Sequence, residues 1–209
     1  MVSNGEKLLA PGPPRRGRIP PYADPVQQTM VEGVRVAWAR SAPDDRRETA
    51  STLIGALAAE LAPGSDLRIE HRCPVCGGAH GRPVLPSAPV HASVAYADPW
   101  VVVAVAPDRE VDALGIDAEV PDTTLDLTAL FAPADAPDLR GWTAIEAVLK
   151  ADGRGLLVPP DQVLFAPDGV ASVPGGGAFR ILPVPAGPDL VVSLALRPRR
   201  SAPTPTRRP

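Results

Sequence analysis

Apolar and polar positions along the chain fall into short blocks whose spacing switches between two and three-to-four residues. V-E-G-V-R-V-A-W-A-R, 31–40, alternates and predicts one strand. Pro43-Asp44-Asp45 opens an Ala-rich stretch that predicts a helix over 44–62, closed by Pro63-Gly64. Residues 67–70 predict a short strand, and C-P-V-C-G-G-A-H-G-R-P after it is turn-rich. Residues 91–95 and 100–106 predict strands joined at Asp98-Pro99, and 113–120 predicts another. A Pro- and Asp-rich connection covers 121–139. R-G-W-T-A-I-E-A-V-L-K-A-D-G then places Trp142, Ile145 and Leu149 at i, i+3 and i+7, one apolar helix face stopped by Gly153. Short strands are predicted over 162–165, 179–183 and 190–196, punctuated by Pro159-Pro160 and Gly175-Gly176-Gly177. Hairpin-linked strands mixed with strands separated by helices indicate an α+β fold.

Composition trims this picture at both ends. Residues 1–25 and 197–209 are rich in Pro, Gly and Arg and read as disordered tails. They hold nine of the 21 basic residues but two of the 24 acidic ones, so 26–196 carries 12 basic and 22 acidic residues, a net charge of −10. Such a body is a poor match for a nucleic-acid backbone. No apolar run is long enough for a membrane span or a signal-peptide core. The two cysteines, Cys73 and Cys76, are too few for a disulfide framework, and a reducing cytoplasm is the expected setting.

The chemistry concentrates in the strand A-L-G-I-D-A-E-V. Asp117 and Glu119 are two apart and share one face of it, so their like charges call for a cation between them. Glu146 and Lys150 lie four apart on one helix face; alone they read as a surface ion pair worth about a few tenths of a kcal/mol. Together, Asp117, Glu119 and Glu146 offer an oxygen-only ligand set suited to Mg²⁺, with Lys150 a turn away to meet a phosphate. That is a layout for phosphoryl-type transfer.

G-I-D-A-E at 115–119 with W-T-A-I-E-A-V-L-K at 142–150 resembles the paired signature of the 4′-phosphopantetheinyl transferases of the surfactin-type, single-chain branch. G-R-P at 81–83 and the terminal D-L-V-V-S-L-A-L are similar to further elements of that family, and the likeness spans about residues 43–196. The resemblance implies two similar lobes in pseudo-twofold arrangement, 26–106 and 107–196, with the active site in the cleft between them. It implies Mg²⁺-dependent transfer of phosphopantetheine from coenzyme A to a serine of an acyl or peptidyl carrier protein by a monomer. Asp117, Glu119 and Glu146 then hold the metal, Glu146 is also the base, Lys150 stabilises the leaving 3′,5′-ADP, and Arg82 contacts a CoA phosphate. Ile145 stands where the family has a basic residue and Tyr96 where it has a CoA-holding His. Both departures fall on the CoA-phosphate side, where Arg46, Arg47 or Arg72 are available to compensate.

His71, Cys73, Cys76 and His80 offer ligands for a structural zinc; the alternative is a loop shaped by Gly77, Gly78 and Gly81 that delivers Arg82. Trp38, Trp100 and Trp142 are expected in the core, and Tyr96 as a half-buried strand residue. Two rival functions remain open: a non-catalytic CoA- or carrier-binding homologue, and another metal-dependent enzyme acting on a nucleotide pyrophosphate.

Overall fold

The computed structural model describes residues 25–73, 76–78, 81–122 and 125–199. Eleven strands and three α-helices are described: β1 Gln27–Val31, β2 Val34–Arg40, α1 Arg46–Leu61, β3 Glu70–His71, β4 Pro83–Val84, β5 Val90–Ala97, β6 Trp100–Pro107, β7 Val111–Glu119, α2 Thr128–Phe131, α3 Leu139–Asp152, β8 Leu164–Phe165, β9 Val170–Ser172, β10 Ala178–Val184 and β11 Val191–Pro198. The chain is α+β, as expected. No helix among the described residues is long and apolar enough to cross a membrane.

Two sheets carry the architecture. One runs β1-β2-β6-β5 and the other β7-β11-β10-β9-β8, with every adjacent pair antiparallel. β6, W-V-V-V-A-V-A-P, is buried along its whole length. Val101, Val103 and Val105 join Leu53, Ile54 and Leu57 of α1 in one core, while Val102, Ala104 and Ala106 face the second sheet. An uninterrupted apolar run is what a strand buried on both faces requires. β7 divides its side chains in the same way. Leu114, Ile116 and Ala118 enter the core between the sheets, whereas Ala113 joins the core beneath α3. The odd-numbered face of β7 therefore looks at α3, and Gly115, Asp117 and Glu119 belong to that face.

Several differences from the sequence expectations have local causes. The segment 31–40 is not one strand. Glu32 (φ 47°) and Gly33 (φ 82°) both take positive φ and form the two-residue turn of the β1–β2 hairpin. The first helix begins as a 3₁₀ turn at Pro43–Asp45 before the α-helix starts at Arg46. The connection 121–139 contains α2, whose Phe131 is buried edge-on against Trp142, and β9 lies in a stretch that carries no strand signal. Residues 197–199 do not belong to a tail: β11 runs through Pro198, and Arg199 donates its backbone N–H to Glu110 and its side chain to Asp112. Residues 1–24 and 200–209 of the expected tails lie outside the described residues.

Candidate active site

The site is built where β7 and α3 meet. Asp138 caps α3 by accepting from the Gly141 N–H at 2.7 Å, and Gly153, at φ 89°, ends it in the left-handed conformation. Thr143, fully buried, donates its hydroxyl to the Arg140 carbonyl at 3.0 Å. Its oxygen therefore accepts from Ser193 of β11 at 2.8 Å. Arg140 donates to the Val192 carbonyl at 2.8 Å. These bonds fix the rotation of α3 on the sheet and hence the direction of Glu146 and Lys150.

Gly115 explains the small residue in G-I-D. A Cβ there would lie 2.1 Å from the Ala147 carbonyl oxygen and 2.5 Å from the Ala151 nitrogen. The two backbones touch, and only glycine leaves room. Two residues on, Asp117 is consequently held within reach of the helix.

Asp117, 6% exposed, receives Lys150 Nζ on Oδ1 at 2.6 Å, while its Oδ2 is buried without a partner. No ion pair joins Lys150 to Glu146; the lysine turns across to the strand because the desolvated Asp117 carboxylate holds it more strongly than a half-buried neighbour on its own helix. The three acids feel one another. Burial pushes the Asp117 carboxyl up against the pull of Lys150. Glu146 is pushed up by burial and then by Asp117. Glu119 is pushed up by burial, by Asp117 and by Glu146, with Lys150 and hydrogen bonding from the Trp142 indole acting the other way. Asp117, Glu119 and Glu146 are thus brought together, and one ammonium is insufficient for three carboxylates. In this arrangement no three His, Cys, Asp or Glu side chains among the described residues close round a point at metal-binding distance. The chemistry of the set nevertheless fits a hard divalent cation: oxygen donors only, one of them an orphaned buried carboxylate oxygen.

Beside the acids lies a cavity of about 350 Å³ lined by Arg82, Ser93, Tyr96, Leu114, Lys150 and Gly153 among others, so β5 and the loop before β4 form one wall and α3 the other. β5 and β7 are fastened there by the Ile116 N–H, which donates to the buried Ser93 hydroxyl at 3.1 Å. Arg82 also lines a second, smaller cavity beside His91, whose proton affinity falls through burial and then through Arg82. Tyr96, a strand residue 40% exposed, lines both the main cavity and a basin holding Arg46 and Arg47, and the Arg46 guanidinium lies 5.8 Å from its ring centroid. Arg82, Lys150, Tyr96, Arg46 and Arg47 therefore line adjoining hollows. Ile145 does not: it is 4% exposed and packs with Leu127, Phe131 and Trp142 beneath α3. In this chain the position belongs to the core.

The loop reading accounts for the described part of the cysteine segment. Cys73 donates to the Gly78 carbonyl at 3.0 Å and accepts from Gly77 at 2.9 Å, and Gly78 donates to the Cys76 sulfur at 3.4 Å. His71 Nδ1 meets the Gly81 carbonyl at 3.1 Å. At Gly81, φ 104°, an added Cβ would lie 3.0 Å from the Arg72 carbonyl oxygen and 3.1 Å from the Cys73 Cα, and the chain runs on to Arg82. His80, the fourth zinc candidate, lies outside the described residues, and His71, Cys73 and Cys76 do not group as a metal site. Arg72 bonds through its backbone N–H to the Arg82 carbonyl at 3.5 Å, a contact that supports the loop and not the cavity.

Sequence reasoning did not single out Ser93, Thr143, Ser193 or the indole of Trp142. Isolated hydroxyls and a core tryptophan carry no spacing signal; the cue was a serine at a buried position within each of two strands. No known family model matches the chain, and no curated protein matches it.

Proposed function

We propose that this protein transfers the 4′-phosphopantetheine group of coenzyme A to a serine of an acyl or peptidyl carrier protein. The observation that carries the reading is the buried Asp117, one of whose carboxylate oxygens has no partner, with the half-buried Glu119 and Glu146, next to a cavity lined by Arg82 and Lys150. The finer architecture belongs to the same proposal. The strands β2, β6 and β5 with α1 repeat the connectivity of β7, β11 and β10 with α3, which supports two related lobes, 26–106 and 107–196, and the cavity draws residues from both.

Asp117, Glu119 and Glu146 would hold Mg²⁺, which when bound polarises the pyrophosphate of CoA. Arg82 and Lys150 offset charge on the phosphates, and Arg46 and Arg47 bind the far end of the nucleotide beyond Tyr96. Glu146, whose proton affinity is raised, takes the proton of the carrier serine directly or through water. The serine oxygen forms a bond to the β-phosphorus as the bond from that phosphorus to the bridging oxygen breaks. 3′,5′-ADP leaves with the electron pair, and Lys150 stabilises it. The protein acts as a monomer, and its acidic body leaves the attraction of both anionic partners to these local cations.

The test is to incubate the protein with Mg²⁺, CoA and an apo carrier protein and to measure the intact mass of the carrier. A gain of one phosphopantetheine supports the proposal. Binding of CoA or carrier without that gain supports a non-catalytic homologue, and CoA cleavage with an unmodified carrier supports another pyrophosphate enzyme.

A further inference from the structure

Lys150 makes two contacts that it cannot use at once with full strength. Its ammonium sits 2.6 Å from Asp117 Oδ1, and its side chain, 30% exposed, forms part of the wall of the main cavity. The chain has 19 arginines and only two lysines, Lys7 and Lys150, and Lys150 is the one lysine among the described residues. An ammonium is a compact charge on a flexible stem that takes either position by rotating its methylenes, whereas a guanidinium holds a carboxylate as a planar fork. Asp117 Oδ2 stays unpartnered even with the lysine in place, so the carboxylate is left open to a second cation.

We infer that Lys150 is a resident counter-cation that yields Asp117 to the divalent metal and, once displaced, delivers its charge into the cavity to the anionic substrate. The inference rests on the phosphopantetheine-transfer reading and adds an order of events to it. Without metal, Lys150 is held on Asp117 and the cavity lacks its charge. A divalent cation on the carboxylates competes with the ammonium, because the two positive charges at one carboxylate repel each other at short range and the divalent charge doubles that repulsion. Release of the lysine then makes metal and anion binding mutually reinforcing, as linkage demands.

Two measurements on the full chain test this without turnover. In ¹⁵N-lysine-labelled protein, only two ammonium signals exist, and Lys7→Arg leaves the one from Lys150. Before metal is added, that signal is expected to show protons protected from exchange by the bond to Asp117. Mg²⁺ alone is expected to convert it to the fast-exchanging signal of a solvated lysine, and CoA added afterwards to restore protection. In parallel, Mn²⁺ binding is followed by loss of its free-ion spin-resonance signal, and Lys150→Met is expected to tighten it by roughly tenfold or more. If Mn²⁺ binds but Mg²⁺ leaves the Lys150 signal unchanged, or if K150M binds Mn²⁺ no more tightly than the parent chain, the exchange is refuted while the metal site stands. If neither the parent chain nor K150M binds Mn²⁺, both the exchange and the proposed function fall.

Discussion

The contact between β7 and α3 at Gly115 yields the sharpest prediction. Replacing Gly115 with Ala adds a Cβ 2.1 Å from the Ala147 carbonyl oxygen and 2.5 Å from the Ala151 nitrogen, distances that real Cβ atoms do not adopt. Reaching even 3.0 Å from the oxygen requires the two backbones to part by 0.9 Å, the difference between those two values. Neither neighbour is the loose end of a side chain. The helix is also tied by the Thr143–Ser193 and Arg140–Val192 bonds, so it cannot slide aside without straining them. Overpacking a core costs about 1–3 kcal/mol when side chains give way, and a clash between two backbones belongs at the top of that range. A loss of about 3 kcal/mol lowers the melting temperature by roughly 6–12 °C for a chain of this size.

Gly55 in α1 is the matched control. A Cβ there meets nothing within 4 Å, and the residue is helical, so Gly55→Ala is expected to stabilise by about 0.5–1 kcal/mol. Thermal unfolding of G115A and G55A should move in opposite directions, and Mn²⁺ binding should weaken in G115A alone, because parting the backbones separates Asp117 from its fellow carboxylate Glu146. A G115A protein that melts within a degree of the parent would refute the claim that backbone contact, rather than local strand conformation, requires glycine in G-I-D.

Three further outcomes follow from the same packing. Thr143→Val strands the Ser193 hydroxyl in full burial, and chemical denaturation should report a loss of about 1–3 kcal/mol. Glu146→Gln should abolish transfer yet raise stability by about 1 kcal/mol near neutral pH, since the folded state raises the proton affinity of Glu146 above its unfolded value. The gain should shrink as pH falls through the folded value and vanish below about pH 4, where the acid is protonated in both states; a gain independent of pH would refute the electrostatic cause. Ile145→Lys, which supplies the basic residue of the resembled family, places an ammonium among Leu127, Phe131 and Trp142 and should cost roughly 3 kcal/mol or more without improving CoA binding.

What the sequence disclosed depends on whether a residue's role is periodic. The buried face of α3, its stop at Gly153, the strand β6 and the shared face of Asp117 and Glu119 were all legible in the sequence. Glu32-Gly33 was readable as a hairpin turn only by weighing positive φ against a strand pattern that continued across it. α2 and β9 lacked any such pattern because four- and three-residue elements are formed by tertiary packing, as Phe131 on Trp142 shows. The bond from Lys150 to Asp117 could not be read from spacing for a related reason. Spacing along a helix favours the i, i+4 acid, but the difference in burial between Glu146 and Asp117 is a property of the assembled sheet.

The same distinction bears on how an acidic body could accept anionic ligands. Net charge acts at a distance and is screened within about 8 Å at physiological salt, whereas the cavity is governed by groups at its wall. Arg82 is brought there by a glycine-shaped loop, Arg46 by the first turn of α1, and Lys150 by a helix clamped to β11 through Thr143. Arg82 is thus positioned by a glycine contact and Lys150 by a helix that buried hydroxyls lock in place. The acids opposite them gain proton affinity from burial rather than from the charge of the whole surface, with burial the largest cause for each of Asp117, Glu119 and Glu146. Neutralising surface carboxylates far from the cleft should therefore leave cation binding nearly unchanged, while any substitution that admits water between β7 and α3 should weaken it, because the demand for a cation is created by the exclusion of solvent at that seam.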